Sequence, residues 1–235
     1  MTRRKIYYGS IIALLLCLAL LVFLKFQVAN VEEVPPSPTP LAELIVYIEP
    51  EPTPTYEGFG PDTDYMAIMA ECCKTGDYLT GSKASEARNK KIATIGLNLE
   101  QWDFDELMEL AKVITNEAGS SWLPMEWKIK VGEVVLNRVA GPEFPNTVYE
   151  VVHDKGQYAN VSTQWFRNLI PYDDCIEAAV QLMNGERLLN DISVVYQSTN
   201  KNLGSGIADT LKDPTDYYGD TYLCYTYYPK LYKGE

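Results

Sequence analysis

The chain has 235 residues, with 20 basic and 32 acidic side chains and a formal net charge of −12; this acidity argues against nucleic acid as a partner. It holds one histidine, His153, which excludes a two-histidine zinc site and leaves any Ser–His or Cys–His nucleophile a single base to use. No phosphate-cradling glycine loop or dinucleotide fingerprint is present.

At the N-terminus Arg3, Arg4 and Lys5 precede an apolar run over residues 6–24, closed by Lys25. At about 1.5 Å per residue that run spans roughly 29 Å, the thickness of a bilayer's hydrocarbon core. The basic cluster predicts a cytoplasmic N-terminus over residues 1–5, a transmembrane anchor over 6–25 entering with Ile6 and leaving with Leu24, and the bulk of the chain outside the cell. A cleaved signal peptide is the alternative, but Gln27-Val28-Ala29 supplies only one of the two small residues that cleavage needs. Residues 26–61 hold eight of the 14 prolines and read as a semi-rigid linker, interrupted by an apolar island at 41–48 with no evident role.

Residues 62–100 read as a helical pair preceding the main domain. The first helix covers 64–78, with Met66, Met69, Ala70 and Cys73 on one side and a stop near Gly76. The second covers 83–95 and is more polar. The main domain, 101–235, opens with Asp103 and Glu106 at capping-box spacing. Leu107, Leu110, Ala111, Ile114 and Ala118 then recur at three- and four-residue steps, and Glu117 falls at the edge of that stripe, where Gly119-Ser120-Ser121 ends the helix. A carboxyl group there is desolvated yet reachable, and desolvation raises its pKa toward what a general acid near neutral pH needs. A solvated or salt-bridged glutamate at a helix end has the same local pattern.

Pro124 opens the next helix, whose stripe is Met125, Ile129, Gly132, Leu136 and Val139. Gly132 costs about 1 kcal/mol of helix propensity, which predicts that another helix approaches closely there. Asn137 and Arg138, at its end, are expected in capping or buried hydrogen-bonding roles. Thr147 and Glu150 form a second capping box, predicting a short helix Val148–His153 with an exposed histidine at its end. Residues 156–161 read as a loop. A further helix starts at Asp174, turns Ile176, Ala179, Val180 and Met183 inward and stops at Asn184-Gly185. Residues 194–196 and 221–228 are strand candidates, with turns at Gly204-Ser205-Gly206 and Asp213-Pro214. The fold class is therefore mainly α (α+β), with a small C-terminal β element. For Cys72, Cys73, Cys175 and Cys224, a Cys175–Cys224 bridge and buried free thiols both remain open.

What chemistry remains is carboxylate acid–base catalysis, typified by cleavage of glycosidic bonds. Hydrolysis in the usual manner needs a second carboxyl group about 5–5.5 Å away (retaining) or about 6.5–9.5 Å away (inverting). Asp154 and Glu126 are candidates, and spacing selects neither.

Taken together, AKVITNEAG ending on Gly119, VGEVVLNRV over 131–139, FPNTVYEVV over 144–152 and Gly156-Gln157-Tyr158 resemble the SleB/CwlJ-type cell wall hydrolases, the spore cortex-lytic family, over roughly half the chain. The resemblance implies a lysozyme-like, mainly α domain that cleaves peptidoglycan glycan strands between N-acetylmuramic acid and N-acetylglucosamine. It implies a lytic transglycosylase with one essential glutamate, matched by Glu117, and neither metal nor organic cofactor. By motif position it assigns Gln157, Tyr158, Tyr196 and Gln197 to the substrate groove. The sequence departs from the family pattern in three places. Glu117-Ala118-Gly119-Ser120-Ser121 stands where Glu-Ala-Arg-Gly-Glu is frequent, Thr221 where a histidine is, and Gln197 where a phenylalanine is. These departures bear on substrate preference more than on reaction type. Two alternatives stand beside this expectation: a muramidase that hydrolyses with water, and a non-catalytic, envelope-anchored glycan-binding or assembly module.

Overall fold

The computed structural model describes residues 59, 62–96, 99–213, 215 and 219–233. The expected anchor and apolar island, and the linker apart from Phe59, lie outside these residues. Among the described residues no helix is long and apolar enough to cross a membrane.

Helix α1 (Tyr65–Thr75) begins at Asp64, whose side chain accepts from the Ala67 amide at 3.0 Å, and stops at Gly76, where φ is 72°. Only glycine takes that left-handed conformation without strain. Helix α2 (Tyr78–Ile95) starts five residues earlier than its polar sequence suggests. Asp77 caps it through the Thr80 amide, and Gly81 lets the Phe104 ring lie against its first turn; a Cβ there would come within 2.5 Å of the ring. Arg88 anchors this helix to the main body by donating to the carbonyls of Glu100 and Met183, and Asn89 does so through Trp102.

Three helices form the core. Helix α3 (Phe104–Ala118) carries the expected capping box, Asp103 with Glu106. Helix α4 (Met125–Ala140) follows Pro124, which sits at the cap itself. Helix α7 (Asp173–Met183) begins one residue before the expected start and closes the bundle. Gly132 of α4 lies where the three meet; a Cβ there would stand 2.5 Å from Leu182 Cδ1 and 2.7 Å from Ile114 Cδ1. The missing side chain is what lets the helices approach. Between α4 and α7 run α5 (Val148–His153), as predicted, and the one-turn α6 (Gln164–Arg167), which its sequence does not announce.

The β element is a three-stranded antiparallel sheet in the order β1-β3-β2, with β1 Val194–Ser198, β2 Ile207–Leu211 and β3 Thr221–Tyr225. Strand β2 is the one missed. Its Ala208, Asp209 and Thr210 lack the alternation of a half-buried strand, and it is held by pairing with β3. The β1–β3 register passes from Val194 to Tyr196 and leaves Val195 in a bulge, its carbonyl free for another donor. A 3₁₀ turn (Pro229–Tyr232) closes the described chain.

All four described cysteines are buried and free, so the Cys175–Cys224 bridge does not form. Burial pushes the thiols of Cys72 and Cys175 up to about 11 and that of Cys73 up to about 12, which leaves them protonated and poor nucleophiles.

Gly132→Val should overpack this junction and lose about 1–3 kcal/mol of stability, read as a lower denaturation midpoint in guanidinium. A midpoint unchanged from that of the wild type would mean that the helices do not meet at this residue.

Candidate active site

Glu117 stands in the last turn of α3 and opens onto a cleft of about 370 Å³. The cleft is lined by Asn116, Glu117, Ser120, Trp122, Leu123 and Trp127 from the helical side and by Gln197, Leu211, Asp213, Gly219 and Thr221 from the β side. Sequence separation explains why most of these residues were not recognised together: the two walls lie about 70 positions or more apart in the chain, and no local pattern links them.

The carboxyl group is held at one oxygen. Asn116 Nδ2 donates to Glu117 Oε1 at 2.7 Å and also to the Ala159 carbonyl at 3.1 Å, tying the end of α3 to the 156–161 loop. Glu117 Oε2 takes no protein hydrogen bond among the described residues. Burial pushes the Glu117 pKa above the ordinary carboxylate range, against smaller opposing effects of the Asn116 hydrogen bond and the Arg138 charge. One oxygen is oriented and the other is left to carry a proton toward the cleft. Such a carboxyl group can serve as a general acid.

The turn after Glu117 is fixed by a buried lysine. Lys128 of α4 is 1% exposed and donates to the carbonyls of Ala118 at 2.6 Å and Ser120 at 3.0 Å. Its ammonium also lies 3.3 Å from Asp174, at the start of α7. A cation at the C-terminus of α3 satisfies carbonyls that the helix leaves open and complements its dipole. The sequence gives no sign of this role, because Lys128 sits inside an otherwise apolar face.

The expected groove residues divide. Gln197 lines the cleft, and its Oε1 is enclosed without a protein donor. Tyr158 and Tyr196 do not line it; their rings lie 4.9 and 5.9 Å from the Arg138 guanidinium. Gln157 does not line it either, and its amide donates to the Asp154 carbonyl in the adjoining turn. Asp154 and Glu126, the candidate second carboxylates, are also elsewhere: Asp154 is exposed beside Lys155, and Glu126 pairs with Lys130 at 2.6 Å. The carboxylate that does share the cleft with Glu117 is Asp213, whose Oδ1 accepts from the Thr215 amide and hydroxyl. Trp122, 42% exposed, and Trp127, nearly enclosed, add indole surface to the same wall. Thr221 lies in the cleft as well.

His153 is not the exposed residue expected. It is half-buried, its Nε2 lies 2.7 Å from Glu109 Oε1, and its ring stacks on Tyr149 with centroids 4.3 Å apart. It does not line the cleft, and Glu109 sits two turns before Glu117 on α3. Among the described residues no group of His, Cys, Asp and Glu side chains is arranged to hold a metal ion.

Lys128→Met should leave the Ala118 and Ser120 carbonyls unsatisfied and cost about 2–4 kcal/mol of folding stability. Equilibrium denaturation checks this, and a loss below about 0.5 kcal/mol would remove Lys128 from the role given to it.

Residues 124–207 match the family model described as Cell Wall Hydrolase; Glu117 lies just ahead of the matched segment. No curated relative matches the chain. Among solved structures, the catalytic domain of the germination-specific lytic transglycosylase SleB from Bacillus anthracis is similar, at 17% identity and a TM-score of 0.39, over 52% of this chain and 96% of that one. The matched segment runs from Pro124 at the α4 cap to Ile207 at the start of β2.

Proposed function

We propose that this chain cleaves peptidoglycan glycan strands at the N-acetylmuramic acid–N-acetylglucosamine bond, as a lytic transglycosylase in which Glu117 is both acid and base. The cell wall hydrolase match supports peptidoglycan cleavage in general terms. The observation that carries the finer claim is the Glu117 carboxyl group, half-buried, raised in pKa by desolvation and free at Oε2 on a cleft with two indole walls. A helical body with a small sheet flanking that cleft also fits the lysozyme-like arrangement that the motifs imply.

In the first half of the reaction, protonated Glu117 gives its Oε2 proton to the glycosidic oxygen as the C1–O bond breaks, and C1 takes on oxocarbenium character. In the second half, the Glu117 carboxylate takes the proton of the muramyl C6 hydroxyl, whose oxygen bonds to C1 and closes a 1,6-anhydro ring. The proton is thereby returned to Glu117. No water is consumed, and no second carboxylate is required. Tryptophan faces suit the apolar faces of sugar rings, and Gln197 Oε1 suits a substrate O–H or N–H donor.

Asp213 favours a second reading. A carboxylate in the same cleft is what hydrolysis with water needs, so a muramidase with Glu117 as acid and Asp213 as its partner is the alternative. Asp213→Asn separates the two, since a transglycosylase should keep cleavage within about tenfold and a two-carboxylate hydrolase should lose about 100-fold or more. As part of the proposal, residues 6–24 form a single-pass anchor that leaves the catalytic domain on the wall side of the membrane.

Glu117→Gln should lower the release of soluble fragments from purified sacculi by at least about 100-fold while binding to sacculi persists. Undiminished cleavage would remove Glu117 from the mechanism. The folded protein holds the Glu117 proton more tightly than the unfolded chain does, because its pKa is raised. The stability this contributes is present below the ordinary carboxylate pKa and is lost as pH rises through the folded value. The glutamine variant should therefore melt no lower than the wild type at pH 7, and cleavage by the wild type should fall as pH rises past the Glu117 pKa.

A further inference from the structure

Two of the four tryptophans in the chain line the cleft, and they stand there differently. Trp122 is 42% exposed and offers a ring face. Trp127, in the first turn of α4, is 5% exposed and packs into the core, so it has almost no face to offer. What it still has is a donor. Its Nε1–H meets no protein acceptor among the described residues. The Nε1 of Trp102 is sealed from solvent without a partner; that of Trp127 is not sealed, and the cleft is where this residue opens. A buried indole ordinarily finds a partner for its N–H.

The indole is also held still. Its own amide donates to the Pro124 carbonyl at 3.0 Å, and the next residue, Lys128, is bound to the Ala118 and Ser120 carbonyls and to Asp174. A donor fixed before its ligand arrives loses little freedom on binding. The charge of the cleft limits what that ligand group can be. Among the described residues that line it are two carboxyl groups, Glu117 and Asp213, and no lysine, arginine or histidine, so an anionic group finds no countercharge there. An indole N–H only donates, and its complement is a neutral group that only accepts. An amide carbonyl oxygen meets that condition, whereas a hydroxyl also donates. Leu123 and Leu211 add apolar surface from the two sides of the same cleft.

We infer that Trp127 Nε1–H is a specificity-determining donor to the carbonyl oxygen of a 2-acetamido group, so that the cleft selects N-acetylated sugars over sugars with a hydroxyl at C2. This deepens the reading of the cleft as a glycan-strand site and rests on it. Both sugars of a peptidoglycan strand carry the acetamido group. Its carbonyl oxygen accepts from the indole, and its methyl group suits the leucine surface. A C2 hydroxyl in its place leaves the enclosed N–H without its acceptor. A site built around a hydrogen bond rejects the analogue that lacks it more strongly than an apolar pocket rejects a missing methylene. Trp122 then supplies a ring face, and Trp127 supplies polar recognition.

The test reads the indole itself and needs no turnover. In the full chain labelled with ¹⁵N at tryptophan, the Trp127 Nε1–H signal is assigned by its loss in Trp127→Phe. The probes are the β-1,4 tetramer of N-acetylglucosamine and cellotetraose, which has the same linkage and a hydroxyl at C2. Saturation with the acetylated tetramer should move the Trp127 signal downfield and the Trp122 signal with it; cellotetraose should move Trp122 alone. Trp127→Phe, which keeps a ring and loses the N–H, should weaken binding of the acetylated tetramer by about 3- to 10-fold and leave cellotetraose binding unchanged. A Trp127 signal unmoved by the acetylated tetramer would overturn the inference. An equal loss for both probes in Trp127→Phe would also do so, by marking a packing role. If that variant does not fold, the other three indole signals are assigned by their own phenylalanine variants and Trp127 by what remains, and its shift in the wild type decides. Cleavage that survives in Glu117→Gln would refute the acid–base role and leave the acetamido contact standing. Cleavage lost in that variant while Trp127 stays unmoved would do the reverse.

Discussion

Helix α4 is enclosed on nearly every side, and that enclosure obliges its polar side chains to find partners within the protein. Leaving a buried donor or acceptor unmade costs about 1–3 kcal/mol, more than a typical hydrogen bond contributes net. Lys128 reaches the carbonyls after Glu117, and Glu133, 2% exposed, accepts from the Leu188 and Leu189 amides. Asn137 donates to the carbonyls of Asp191 and Val194, and Arg138 donates to that of Val195. Four side chains of one helix thus fix the end of α3, the loop after α7 and the entry to the sheet. The end of α3 and the sheet are both segments that line the cleft.

The chemistry of the cleft follows from the same enclosure. Glu117 sits close enough to the core to lose solvent and close enough to the helix end to keep one oxygen free. Asn116 orients that carboxyl group by linking it to Ala159, and Lys128 holds the following turn against α7. Ala118–Ser121, the turn that follows Glu117, is therefore a segment held by the core and not a free loop. Thr221 and Gln197 line the opposite wall of the same cleft.

The helical frame was legible because its signals are local. Asp103 and Thr147 each cap a helix at the position the sequence indicates, and Gly132 anticipates the crossing of α3, α4 and α7. Strand β2 was not legible, since Asp209 and Thr210 break the alternation and the strand exists through β3. The early start of α2 was hidden by Gly81, whose purpose is the Phe104 ring. At the site, Glu117 could be singled out by its place at a stripe edge. Trp122, Trp127 and Asp213 could not, because only tertiary contact brings them to one cleft. Tyr158 and Tyr196 were assigned by motif to the groove and stand instead on Arg138, a partner that no spacing in the sequence points to.

The decisive measurement is mass analysis of the glycan fragments released from purified sacculi by the full chain in ¹⁸O-labelled water. A single carboxyl group that acts first as acid and then as base leaves fragments ending in 1,6-anhydromuramic acid, with no ¹⁸O at C1. Reducing ends that carry ¹⁸O would contradict it and transfer the second half of the reaction to water and Asp213.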